Sequence, residues 1–118
     1  MKEEYKIRLL RRIYLFSSLT NEELHAIAGK IIVKSFKRHE VILHDEDTNE
    51  FMYSILEGEV KVVQTTEEGK EIILAMHRSG DFFGELSLID GKTVPATVLA
   101  TKDSITAIIS KKDFYSFP

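Results

Sequence analysis

The residues with the most chemical content lie between Gly80 and Val98, GDFFGELSLIDGKTVPATV. A Gly-Asp pair leads into Phe82 and Phe83, then Gly84-Glu85-Leu86, a short apolar turn, Asp90-Gly91 and a β-branched strand. These types in this order suit a small anion pocket. A glycine lets backbone approach a ligand, a one-turn helix after it aims unpaired N–H groups at an anion, and a carboxylate accepts from a neighbouring hydroxyl. A phosphate clamp is completed by a guanidinium, whose planar fork matches two phosphate oxygens. About ten residues after Gly84 the chain has Val94 followed by Pro95, neither of them a cation.

The surrounding chain must hold this segment in place. Tyr5, Leu9, Ile13 and Phe16 recur at near-helical spacing and predict a helix over residues 2–16, broken by Ser17-Ser18. Thr20 followed by Glu23 is a capping box for a second helix, Asn21 to Gly29. A β pattern follows, with strands expected at Ile31–Phe36, Val41–His44, Phe51–Leu56, Val60–Thr65, Ile72–Met76, Val94–Thr101 and Ser104–Ile109. Gly58 marks a tight corner, and Glu67-Glu68-Gly69-Lys70 a hairpin turn. Alternation sets Val60 and Val62 on one face and Lys61 and Val63 on the other. Ser110 and Asp113 form a capping box for a helix from Lys111 that stops within a turn or two at Pro118, as expected of a domain cut from a longer protein. Short strands with helices only at the ends predict a mainly β fold, an antiparallel barrel or roll.

Bulk properties narrow the function classes. At 118 residues one domain is expected, spanning 1–118, with helices over 2–29, the roll over 31–109 and a helix start at 111–118. A chain of this size buries roughly two thirds of its extended surface, enough for a core without cross-links. The absence of cysteine excludes disulfides, thiolate metal sites and a Cys nucleophile. No apolar run approaches the ~20 residues of a membrane span, and Met1-Lys2-Glu3-Glu4 does not open a signal peptide. A cytoplasmic protein with no membrane partner is the expectation. The net charge of -3 carries no basic nucleic-acid footprint.

Phe51 to Val60, then Gly80 to Gly91, then Ala96-Thr97-Val98 together resemble the cyclic nucleotide-binding domain family. The nearest flavour is the sensor half of bacterial regulators of the catabolite activator and fumarate–nitrate regulator type, and the likeness covers about residues 13–118. The resemblance implies a double-stranded β-helix, a jelly-roll-like β-roll of eight strands. It also implies flanking N-terminal helices, a short cassette helix and a C-terminal helix truncated at Pro118. It implies a ligand pocket in which Gly84 permits close approach, the N–H groups of Leu86 and Ser87 face the phosphate, and Glu85 accepts from the ribose 2′-hydroxyl. Phe83, Leu74 and Met76 would line sugar and base, and Val94, Pro95, Ala96 and Thr97 would close the cassette's far end. The ligand would be cyclic AMP, cyclic GMP or another small effector.

The departures carry information too. Val94 stands where the family has arginine, and Pro95 where it has a small or hydroxyl residue. Lys92 is a nearby cation without the fork geometry. Two loop glycines usual in the family are His39 and Glu46 here.

The implied role is a non-catalytic sensor in a homodimeric transcription regulator, with DNA contacted only through a C-terminal domain outside this sequence. A regulatory domain of a channel, kinase or other signalling protein is the alternative. A cupin-like metalloenzyme would need a His-x-His pair and a nearby Glu on strands. The four histidines, at 25, 39, 44 and 77, contain no such pair, and no metal site is expected. Phe114, Tyr115 and Phe117 are expected to pack on the roll or begin a dimer interface.

Overall fold

The computed structural model describes residues 3–13, 16–44, 50–84, 88–89, 92–93 and 96–116. Helix α1, Glu3–Arg11, ends earlier than its periodicity predicts. Beyond it, bonds from Arg12 to Leu9, Ile13 to Leu10, Phe16 to Ile13 and Leu19 to Phe16 tighten the chain into turns of i→i+3 type. Ile13 and Phe16 are buried all the same, with Leu9. Tyr5, expected on the same stripe, is 45% exposed, and Leu10 is buried instead. The change of pitch after Arg11 rotates the face that the simple helical count assumes. Arg11 then ties the turn down, donating to the Leu19 carbonyl and to Asn21 Oδ1, both at 2.7 Å.

Helix α2, Asn21–Ala28, carries the expected capping box. Glu23 N donates to Thr20 Oγ1 at 3.1 Å and Thr20 N donates to Glu23 Oε1 at 2.9 Å. Two of the orphan donors of the first turn are thereby satisfied reciprocally.

The strands are β1 Ile32–Phe36, β2 Val41–Leu43, β3 Phe51–Glu57, β4 Glu59–Thr65, β5 Glu71–Arg78, β6 Phe82–Phe83, β7 Leu88–Ile89, β8 Lys92–Thr93, β9 Thr97–Ala100 and β10 Ser104–Ser110. Eight of them form two four-stranded antiparallel sheets, ordered β1-β10-β3-β6 and β2-β9-β4-β5. This is the expected mainly β roll of eight strands. Strands β7 and β8 pair as a separate hairpin. A short helix was expected after Gly84. Residues 85–87 lie outside the described residues, and Leu88 and Ile89 are extended and paired with Thr93 and Lys92.

The core has two compartments divided by the first sheet. On β3, Met52 and Leu56 face the helices, joining Leu10, Ile13 and Leu24. Tyr53 and Ile55 face the roll interior, joining Val60, Val62, Phe83 and Val98. The period-two alternation of one strand thus serves both compartments. Helix α3, Lys111–Ser116, follows β10 directly. It is capped by Ser110, whose Oγ accepts from Asp113 N at 3.1 Å. Phe114 packs on Phe82 as expected, with ring centroids 5.5 Å apart. Tyr115 is exposed, and Phe117 lies outside the described residues.

His39 occupies a left-handed conformation, φ 73°, at the position where the family resemblance expects glycine. The loop compensates for the absent glycine with bonds from both sides. His39 N donates to the Ala100 carbonyl at 2.8 Å, Arg38 N to Asp103 Oδ1 at 2.8 Å, and Lys37 N to Glu40 Oε1 at 3.0 Å. Glu46 lies outside the described residues.

The corner between β3 and β4 is charged as well as tight. Glu59 Oε2 accepts from Arg78 Nε at 2.8 Å, and Oε1 accepts from Thr101 Oγ1 at 2.7 Å. The Arg78 bond first, then the Thr101 bond, hold the Glu59 carboxyl below its ordinary value of 4.5. A folded-state value lowered in this way stabilises the fold fully above the ordinary value. The contribution is lost as pH falls through the lowered one. Stability is therefore expected to decline more steeply with acidification in the wild type than in Glu59→Gln. Thermal midpoints of both proteins between about pH 5 and about pH 3 check this, and parallel curves would remove Glu59 as a source of acid sensitivity.

Candidate functional site

The site begins at the turn after β5. Arg78 N donates to Asp81 Oδ2 and Asp81 N to the Arg78 carbonyl, both at 2.9 Å. The turn is pinned to β3, because Gly80 N donates to the Ile55 carbonyl at 2.9 Å and Ile55 N to the Asp81 carbonyl at 3.0 Å. These bonds set β6 beside β3, pairing Phe83 with Tyr53 and Phe82 with Ser54. Adjacent strand residues point to opposite faces. Phe83 therefore enters the roll interior, while Phe82 meets Phe114 of α3.

Gly84 follows with φ +121°, a conformation that a side chain would strain. Phe83 itself is buried between two rings. Its centroid lies 5.0 Å from that of Tyr53 with planes 11° apart, and 5.8 Å from that of His77 with planes 14° apart. Offset stacking of this kind adds about 0.5–1.5 kcal/mol per aromatic pair beyond burial, so Phe83 is held rather than left as a loose wall.

Of the residues expected to form the pocket, Phe83, Leu74 and Ala96 come together around the interior cluster of Tyr53, Ile55, Val60, Val62 and Val98. Glu85, Leu86, Ser87, Val94 and Pro95 lie outside the described residues. Two expectations are corrected. Thr97 pairs with Val63, while its neighbour Val98 pairs with Val62, so Thr97 is on the outer face of the second sheet. Met76 is also on the outer face, opposite Lys61.

The reason for the Met76 correction is a β-bulge. Near the hairpin tip, Thr65 pairs with Glu71, Gln64 with Ile72 and Val63 with Ile73. The register then shifts, and Val62 pairs with Ala75, Lys61 with Met76 and Val60 with His77. Leu74 is the extra residue. Without it, the hairpin register would set Leu74 opposite Val62 and Met76 opposite Val60, inside the roll. A shift of one residue exchanges the faces of everything beyond it. Ala75 and His77 therefore take the inner positions. Tyr53 was not singled out by its strand, because Met52 and Leu56 are as apolar on one face of β3 as Tyr53 and Ile55 are on the other. His77 was not either, since nothing local in the residues of β5 announces a bulge.

The wall beside Gly84 is thus apolar, with His77 as an ionisable group. Asp81 Oδ2 lies 3.8 Å from His77 Nδ1, an ion-pair distance rather than a hydrogen bond.

Comparison with known proteins gives consistent results. A family model described as the cyclic nucleotide-binding domain matches residues 33–117. The chain is 32% identical over 105 residues, 89% of its length, to a cAMP-dependent protein kinase regulatory subunit of Hypocrea atroviridis, and covers 22% of that protein. It is 36% identical over 83 residues, 70% of its length, to the cAMP-activated global transcriptional regulator CRP of Salmonella typhimurium, and covers 40% of it. The chain therefore spans only a fifth to two fifths of these relatives.

Among solved structures, it is similar to the regulatory subunit of a cAMP-independent protein kinase A from Trypanosoma cruzi bound to guanosine. The TM-score is 0.75 and the identity 27%, covering 97% of this chain and 41% of that one. The corresponding Trypanosoma brucei subunit, solved as a triple mutant bound to cAMP in the A site, gives a TM-score of 0.76 at 29% identity. There 97% of this chain and 42% of that one are covered.

Proposed function

The chain belongs to the cyclic nucleotide-binding domain family, and on that premise we propose that it is a non-catalytic sensor whose pocket takes a nucleoside-like effector lacking a phosphate. The observation that carries this reading is the pair Val94-Pro95 in the place of the phosphate-binding arginine and its neighbour. A cyclic phosphodiester keeps one negative charge. Removing that charge from water without a cation to meet it is unfavourable, and Pro95 offers no N–H in compensation. An uncharged nucleoside avoids this cost and still presents a sugar to Glu85 and a ring to the apolar wall. The guanosine bound to the T. cruzi relative has this chemistry, a base and ribose with no phosphate.

The response to an effector runs through β6. Phe83 faces the pocket side and Phe82 touches Phe114 of α3. An effector that shifts Phe83 must move its neighbour on the same two-residue strand, and with it the contact to α3. Regulation follows if the effector prefers one position of α3 over another. In a parent of the catabolite activator type this helix would lead to a dimer seam and a DNA-binding domain. The match to the Hypocrea kinase regulatory subunit favours a second reading, in which the same device serves a kinase.

Calorimetric titration with guanosine and cyclic GMP, which share base and sugar, isolates the phosphate. Guanosine is expected to bind about tenfold tighter or more, a difference of roughly 1.4 kcal/mol or above. Tighter binding of cyclic GMP would sink the reading and identify an ordinary cyclic-nucleotide sensor.

A further inference from the structure

From the bulge at Leu74 we infer that His77 is the residue that selects the effector, accepting a hydrogen bond from an N–H or O–H group of the ligand. The inference rests on the nucleoside reading above and deepens it. His77 pairs with Val60, so it shares the inner face with the buried interior, and its ring stacks on Phe83 at 5.8 Å. Phe83 is the residue immediately before Gly84, which brings the imidazole to the glycine turn. The side chain is 26% exposed, partly sunk and partly open.

A carboxylate lies on the Nδ1 side of the ring. Asp81 Oδ2 is 3.8 Å from Nδ1, and Asp81 is itself anchored by the bond from Arg78 N at 2.9 Å. At 3.8 Å this is no hydrogen bond, but the negative charge stands on the side where a proton on Nδ1 would sit. The lone pair of a neutral imidazole then lies on Nε2, which makes that nitrogen an acceptor. A ligand that offers an amide-like N–H, an amino group or a hydroxyl satisfies it. One that offers only acceptors leaves it unpaired in a partly desolvated wall. With the phosphate clamp replaced by Val94 and Pro95, this contact becomes a main source of polar discrimination.

The test uses the purified chain and guanosine as the probe, titrated into the wild type, His77→Leu and His77→Gln. Leucine keeps the bulk and removes the acceptor, while glutamine restores one. Guanosine affinity should fall about tenfold in His77→Leu, as for loss of one hydrogen bond, and stay within about threefold of wild type in His77→Gln. Thermal unfolding of each variant confirms that the roll is formed. Equal affinity of wild type and His77→Leu would overturn the role of His77 and leave the nucleoside reading standing. Failure of the folded wild type to bind guanosine, adenosine, inosine or cytidine would overturn both.

Discussion

Val94→Arg combined with Pro95→Ala is expected to raise the affinity of this chain for cyclic AMP by about a hundredfold or more. Two interactions are restored. Arginine returns a bidentate, charge-assisted clamp on the phosphate, and alanine returns a backbone donor that proline cannot supply. Hydrogen bonds to charged groups contribute about 1.5–3 kcal/mol each. The pair is therefore worth roughly 3–5 kcal/mol, or about two to four decades in affinity.

Calorimetry on wild type and double variant decides the matter. Guanosine binding should weaken or stay level in the same variant, because its ribose presents no charge to the new guanidinium. If cyclic AMP affinity does not rise, the pocket is closed to a cyclic phosphate for a reason other than its missing cation.

Gly58→Ala should be the most damaging single substitution outside the pocket. Gly58 has φ +107°, and an added Cβ would stand 2.2 Å from Ser104 Oγ and 2.7 Å from Ser104 Cα. Ser104 is itself buried, and its Oγ accepts from Glu59 N at 3.2 Å and donates to the Lys102 carbonyl at 2.8 Å. Relief of the clash would have to move β10 backbone, which pairs with β1 and β3 on either side. Positive-φ strain and a backbone collision together are expected to cost about 3–5 kcal/mol. That corresponds to a fall of roughly 15 °C or more in thermal midpoint for a domain near this size. Adding Ser104→Ala should restore only part of the loss, since Cβ still meets Cα. A single variant within about 1 kcal/mol of wild type in chemical denaturation would contradict the geometry.

Gly58 shows what is local and what is not. The glycine between two β-patterned runs announces a corner. Ser104, the residue that makes it obligatory, lies 46 positions away and is brought there only by the β3–β10 pairing. The capping box of Thr20 and Glu23 is the opposite case. Its partners sit three residues apart, so the sequence contains the whole interaction.

The candidate site divides along the same line. Gly84 is legible because a positive φ is a property of one residue. The replacement of the clamp by Val94 and Pro95 is legible because it is a matter of residue type alone. Period two groups Tyr53 with Ile55 and Met52 with Leu56, but both pairs are apolar, so which pair lies inside the roll is decided by what packs on each face.

Which residue of β5 faces that interior is another matter. Met76 and His77 are adjacent, and either could occupy the inner position. The choice depends on one extra residue, Leu74, in the pairing with β4. That pairing is a relation to β4, whose Val60 and Val62 share the buried interior with Phe83 of the other sheet. The amino-acid sequence by itself determined the corners, the caps and most of the strand pattern, because each resides in a residue or its near neighbours. Only the tertiary structure decided that His77, stacked on Phe83, faces the interior of the roll. Register is a relation between strands, and a bulge changes it without leaving a mark on either strand alone.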